Sequence, residues 1–330
     1  MNSNRFDVVT VGNAIMDVLV HVNEAFLATH ALHKGTMRLI NAVEADCLYN
    51  QIGPAVECSG GSAANTAVGI AALGGQVAYV GKVNDDPLGR AFLYDINTAG
   101  VQCVTPPLRE GPPTGRCLIL VTPDAQRTMN TYLGACVALG PDDIDPALIQ
   151  NARITYLEGY QWDAPMAKEA IRKAADLARA SRKKVALSLS DPFCVERHRV
   201  EFYTLVRYHV DILFANEAEI MSLYQTTTFD DAVQAVRRHC VMAAISRGEK
   251  GSVITTADTV HVIDAVPVAR VVDTTGAGDL FAAGFLYGLS QDKPPALCAR
   301  IGSLCAAEII GHFGARPERS LADWVKERFG

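Results

Sequence analysis

Asp273-Thr274-Thr275-Gly276-Ala277-Gly278-Asp279 leads into a small-residue apolar stretch that runs on to Leu289. Glycines in this spacing permit a tight turn at which successive backbone N–H groups converge. Where such a turn opens a helix, the unpaired amides and the helix dipole favour an anion. The amides of Gly276, Ala277 and Gly278 could steady phosphoryl oxygens while charge moves during group transfer. A carboxylate at the mouth of an anion site repels its guest unless it has another task. Asp279 has one if it accepts the proton of an attacking hydroxyl. The competing role for a lone glycine turn and aspartate is a helix cap. The full motif ahead of an apolar helix favours chemistry.

Other segments are weaker when taken singly. Cys58–Gly69 (CSGGSAANTAVG) sets Gly60 and Gly61 before a helix that carries Asn65. Capping by Ser59 or Ser62 would explain it as well. Asn216-Glu217-Ala218-Glu219 alone is a solvated helix start, and Ser246 to Gly251 (SRGEKG) alone is a turn after a strand. No GxxxxGK[ST] phosphate loop occurs. His198-Arg199-Val200 is not a protein-kinase catalytic loop. The eight histidines show no metal-ligand spacing.

These motifs sit in an alternating rhythm. Phe6–Val11, 76–80, 153–157, 184–189, 211–214 and Met242–Ser246 read as strands. Asn65–Leu73, Pro87–Ala99, 166–181, 197–208, 217–224 and 230–239 read as helices. Alternation of this kind predicts an α/β fold, a mostly parallel central sheet with helices on both faces. Residues 13–45 and 103–135 break the rhythm, the second with strands 116–121 and 127–133 around Thr122-Pro123-Asp124. Both are expected to form a small β lid on a single domain spanning 1–330. Ordinary surface hairpins are the alternative.

Composition bounds the function. The 330 residues are 49% hydrophobic and 20% charged, with net charge −6, a globular mixture. With a pI near 5.8 and no basic stripe, nucleic acid is not an expected partner. Nine cysteines and no CxxC argue for reduced thiols rather than disulfides. No signal peptide or membrane-length apolar run is visible, so no membrane partner and a cytoplasmic location are expected.

The Val271–Leu289 segment resembles the second signature of the PfkB carbohydrate kinase family, of ribokinase-like fold. Cys58–Gly69 resembles the first, and the likeness spans nearly the whole chain. It implies an ATP-dependent kinase with Mg²⁺ that acts on a primary hydroxyl, with Asp279 as base. Asn216-Glu217-Ala218-Glu219 resembles the NxxE motif, which implies that Asn216 and Glu219 organise Mg²⁺ through water near the phosphates. Ser246, Gly248 and Gly251 resemble the ATP loop. Thr275, His312 and Gly314 resemble nucleotide-binding positions. In some relatives the C-terminal turn and the first aspartate of the second signature form a monovalent-cation site, which would give Asp273 a role with K⁺. Within the family, the likeness is greatest to the adenosine-phosphorylating branch, through Gly12 to Asp17 (GNAIMD), Gly60-Gly61-Ser62 with Asn65, and Val210–Glu219. It implies that Asn13, Asp17, Gly60, Gly61, Ser62 and Asn65 surround a nucleoside, that Arg127 approaches the transferring phosphate, and that Glu158 lies near the metal water. The branch's base-stacking phenylalanine has no secure counterpart, leaving Tyr160 or Trp162. A sugar kinase of the same fold and a catalytically silent nucleoside-binding sensor are the alternatives, the latter opposed by an intact Asp279. Monomer and homodimer stay open.

Overall fold

Two sheets divide the strands of the computed structural model, which describes residues 5–330. In chain order the strands are β1 (Phe6–Val11), β2 (Ile15–His21), β3 (Met37–Leu39), β4 (Val56–Gly60), β5 (Val77–Val80), β6 (Gln102–Cys103), β7 (Gly115–Val121), β8 (Arg127–Tyr132), β9 (Ala152–Glu158), β10 (Lys184–Ser188), β11 (Ile212–Asn216), β12 (Met242–Ser246), β13 (Ser252–Thr256) and β14 (Val260–Ile263). The large sheet runs β14-β13-β12-β11-β10-β9-β1-β5-β6. It is parallel from β6 to β12 and antiparallel only at β13 and β14.

The inner strands are continuous apolar runs because helices cover both faces. One face packs against the Pro165–Ala180, Pro192–Tyr208 and Phe229–Arg237 helices. The other takes the Ser62–Ala72, Ala277–Ser290 and Pro295–Ile309 helices. The edge hairpin β13–β14 was not among the strands expected from the sequence; β14 is a short edge strand of four residues with Val260 and Val262 exposed. The helix expected at 197–208 starts earlier, at Pro192, where Asp191 accepts the Cys194 amide. Its backbone leaves helical geometry at His198 (φ −122°, ψ 21°), which hid the first turn.

The second sheet runs β3-β8-β7-β2-β4. The stretches 13–45 and 103–135 hold four of its strands, and β4 joins from outside both. In β2 the side chains alternate between faces. Val18 and Val20 pack outward against Leu27, Leu48 and Leu118. Ile15 and Leu19 pack on the opposite face with Ile119 and Cys136, and Asp17 shares that face.

Two helices of small residues meet beneath the second sheet. A Cβ on Gly69 would stand 2.6 Å from Ala283 Cβ and 2.7 Å from Leu280 Cδ1. The Ser62–Ala72 and Ala277–Ser290 helices can therefore approach side by side, and their N-termini converge.

Candidate active site

The converging N-termini floor a cavity of about 380 Å³ that the second sheet overhangs. Gly276 caps the Ala277–Ser290 helix in the left-handed region (φ 78°), with no side-chain cap. A Cβ there would also meet Ala315 Cβ at 2.7 Å. In the first helical turn, the amides have no intrahelical carbonyl to reach. Asp279 stands in that turn, yet its carboxylate turns away from the helix. Ser62 Oγ donates to Oδ1 at 2.6 Å and Asn65 Nδ2 donates to Oδ2 at 2.9 Å. Burial raises its carboxyl above the ordinary range, and the two donors together with Arg127 and Arg316 pull it back. The cap role weighed for this aspartate is thus not the one it plays. Nor does Ser59 or Ser62 cap the Ser62–Ala72 helix.

Gly61 holds φ 90°, and a Cβ there would lie 2.0 Å from the Asn13 carbonyl. A Cβ on Gly60 would collide with the Asp17 carboxylate. Gly60 thus shapes the wall without lining the cavity, whereas Asn13, Asp17, Gly61, Ser62, Asn65 and Arg127 line it. Asp17 lies mid-strand, not in a turn, and is 5% exposed. Burial pushes its carboxyl up to about 7, with Arg316 pulling the other way. Glu158 is more deeply placed and accepts from the amides of Asn13 and Ala63 and from Asn13 Nδ2. Burial pushes it up to about 7 as well. Its three donors make it the organiser of the loop after β1. The Asn13 amide is held from both ends, since Gln161 Nε2 donates to its oxygen at 3.0 Å.

Asn216 and Glu219 form a reciprocal capping box rather than a solvated helix start. The Glu219 amide donates to Asn216 Oδ1, and the Asn216 amide donates to Glu219 Oε2. Asn216 Nδ2 reaches Glu219 Oε1. Glu219 is buried, which pushes it up to about 7, and both residues line the cavity. Among the described residues no cluster of three or more His, Cys, Asp or Glu side chains could hold a metal. Mg²⁺ is a hard ion that takes oxygen ligands and keeps several waters, and the oxygens of Asn216 and Glu219 at the cavity would suit holding it through water.

The Ser246 to Gly251 segment is the turn of the β12–β13 hairpin, with Gly251 at φ 80°. Ser246, Gly248 and Thr275 line the cavity; Gly251 does not. His312 and Gly314, expected at the nucleotide, are not in the lining either. His312 faces Glu308 Oε1 at 3.2 Å. The Gly314 amide donates to Asp273 Oδ2 at 3.0 Å. Asp273 Oδ1 takes the Thr275 amide and hydroxyl. These three donors satisfy the buried Asp273 carboxylate and tie the glycine turn to the C-terminal turn. Of the two aromatics considered for a base, Tyr160 lines the cavity. Trp162 does not: it is buried against Phe202, ring centroids 5.5 Å apart. The apolar wall was missed in the sequence: Ile15, Met37, Leu39, Cys117, Ile119, Met129 and Leu133 all come from the second sheet and its edge. Arg316 was also missed. Its signal was a long cation in a turn of small residues.

The chain resembles several kinases over most of its length. A crystal structure of adenosine kinase from Sinorhizobium meliloti is 48% identical, covers 98% of this chain and 99% of its own, and has a TM-score of 0.96. A probable sugar kinase from Rhizobium etli CFN 42 is 47% identical with the same coverage and a TM-score of 0.97. Adenosine kinase of Saccharomyces cerevisiae is 27% identical over 93% of this chain and 95% of its own length. The pfkB family carbohydrate kinase model matches residues 36–321. With the two signature turns meeting at one cavity, this chain belongs to the pfkB family of carbohydrate kinases and is an ATP-dependent phosphotransferase acting on an alcohol group of a sugar or nucleoside.

Proposed function

We propose that the acceptor is adenosine and that the chain transfers the γ-phosphate of ATP to its 5′-hydroxyl. The observation that supports this is the mixed lining of the cavity. Asp17, Asn65, Ser62 and Asp279 supply polar atoms to it, while Ile15, Met37, Leu39, Ile119, Met129 and Leu133 of the second sheet and its edge supply an apolar surface beside Arg127 and Thr131. A ribose with a flat base would use both kinds of surface, whereas a free sugar would leave the apolar residues without a partner. No hydrogen bond is made by the Asp17 carboxylate among the described residues, and ribose hydroxyls would supply them.

Asp279, oriented by Ser62 and Asn65, takes the proton of the 5′-hydroxyl as it attacks. The first-turn amides of the Ala277–Ser290 helix and Arg127 receive the charge on the transferring group. Ser246, Gly248 and Thr275 face the nucleotide. Mg²⁺, when bound with ATP, neutralises phosphate charge, and Asn216 and Glu219 order the water around it. The second sheet acts as a lid that keeps water from the phosphoryl group.

A panel assay of ATP consumption with nucleosides and free sugars tests the substrate. Adenosine is expected to react, and 2′- and 3′-deoxyadenosine to react far more slowly, since each leaves a buried polar group unpaired. Turnover of ribose or fructose with none of adenosine would replace this proposal with a sugar kinase.

A further inference from the structure

We propose that Arg316 is a positioning residue that fixes the orientation of the Asn65 amide and, through it, of Asp279. Arg316 does not line the cavity. Its Nη1 donates to Asn65 Oδ1 at 2.6 Å, while Asn65 Nδ2 donates to Asp279 Oδ2 at 2.9 Å. A carboxamide has an oxygen on one side and an NH₂ on the other. Turned over, Asn65 would set its oxygen against the carboxylate and its NH₂ against the guanidinium. The cation therefore permits one orientation, the one that leaves an N–H on Asp279.

Arg316 is itself held from outside the cavity. Nη2 donates to the Ser59 carbonyl and to the Ser59 hydroxyl, and that hydroxyl donates to Asp95 Oδ2. Asp95, on the Pro87–Thr98 helix, also takes the Ser59 amide at 3.2 Å. Asp95, Ser59, Arg316, Asn65 and Asp279 thus make a continuous chain of charge-assisted bonds. The planar fork of arginine reaches Ser59 and Asn65 together, and a lysine ammonium cannot reproduce that geometry.

This proposal rests on Asp279 being the base, so Asp279→Asn is assayed beside the other variants with the fastest acceptor of the panel above. Arg316→Gln and Arg316→Lys are expected to lower kcat on the order of 10²-fold, the scale of a misplaced reacting group, with little change in KM. In an Asn65→Ala background, Arg316→Gln should cost much less, because the link is already gone. The groups facing Asp279 are Asp17 on β2, Arg127 on β8, Tyr156 and Glu158 on β9, Glu219, and Arg316. Removing one of the two cations should move the acid limb of the kcat profile to higher pH. Equal losses in both backgrounds, a loss confined to KM, or an unmoved acid limb would overturn the proposal while leaving the base intact. Wild-type turnover in Asp279→Asn would remove the base and the proposal together. If Arg316→Gln does not fold, Ser59→Ala and Arg316→Lys decide: lowered kcat in both supports the proposal, and wild-type kcat in both overturns it.

Discussion

Ser62 donates its hydroxyl to Asp279 at 2.6 Å across a separation of 217 residues. The bond exists because two helices of small residues lie side by side with their starts level. It also ties the first glycine motif to the second, so neither motif makes a site alone.

Asp279→Asn should lower kcat by about 10²–10⁴-fold, the usual worth of a general base. Acceptor and ATP binding should survive, since Ser62 and Asn65 can still bond the amide. Isothermal titration alongside turnover separates the two effects. Unchanged kcat would reduce Asp279 to a structural partner of Ser62.

Gly69→Val should harm activity from a distance. Its added carbons would press on Ala283 and Leu280, and overpacking costs about 1–3 kcal/mol. Parting the helices should stretch the Ser62 and Asn65 contacts to Asp279. Denaturant melts should show the destabilisation, and kcat should fall in the fraction still folded. Wild-type kcat in that fraction would mean that the helix spacing does not set the site.

Three buried carboxyls, Asp17, Glu158 and Glu219, sit at about 7 in the folded chain. Unfolded, they return to ordinary carboxylate values near 4. Between about pH 4 and 7 the folded state binds more protons than the unfolded one, so stability falls as pH rises through that window. The thermal midpoint of the ligand-free protein should drop from pH 5 to pH 8. Asp17→Asn, which removes one of these charges, should raise the midpoint at pH 8 more than at pH 5 while abolishing most turnover. An Asp17→Asn midpoint equal to wild type at both values would show that burying this charge costs nothing.

Glu219→Gln should raise the Mg²⁺ concentration for half-maximal rate. The thermal midpoint at pH 8 should change little, because the substitution removes a buried charge and keeps an acceptor for the Asn216 backbone amide, while the glutamine NH₂ gives up the bond from Asn216 Nδ2. A Mg²⁺ titration superposable on wild type would leave Glu219 as a capping residue alone.

The parallel layer and the glycine turns were readable because each depends on local features, apolar runs and residues that tolerate φ > 0. Asp17 was readable as a site residue but not as a strand residue, since β2 is defined by its pairing with β4 and β7. Arg316 could not be assigned a role from its neighbours in sequence, because its partner Asn65 is 251 residues away. The apolar wall was hidden for a similar reason: Met37 and Met129 become neighbours only when β3 pairs with β8. Trp162 was a false candidate because an aromatic after a strand can turn to either face of the layer.

The strand order also has a consequence for synthesis. β1 precedes both of its neighbours, β5 and β9, in the chain. One edge of β1 therefore waits until residue 158 has left the ribosome, and pairing over such separations is slow. The Ala277–Ser290 helix, which covers that layer and carries Asp279, comes later still. Of the three helices on that face, a nascent chain halted before residue 277 would have Ser62–Ala72 alone and would leave the rest of its apolar surface open, the kind of surface that chaperones hold.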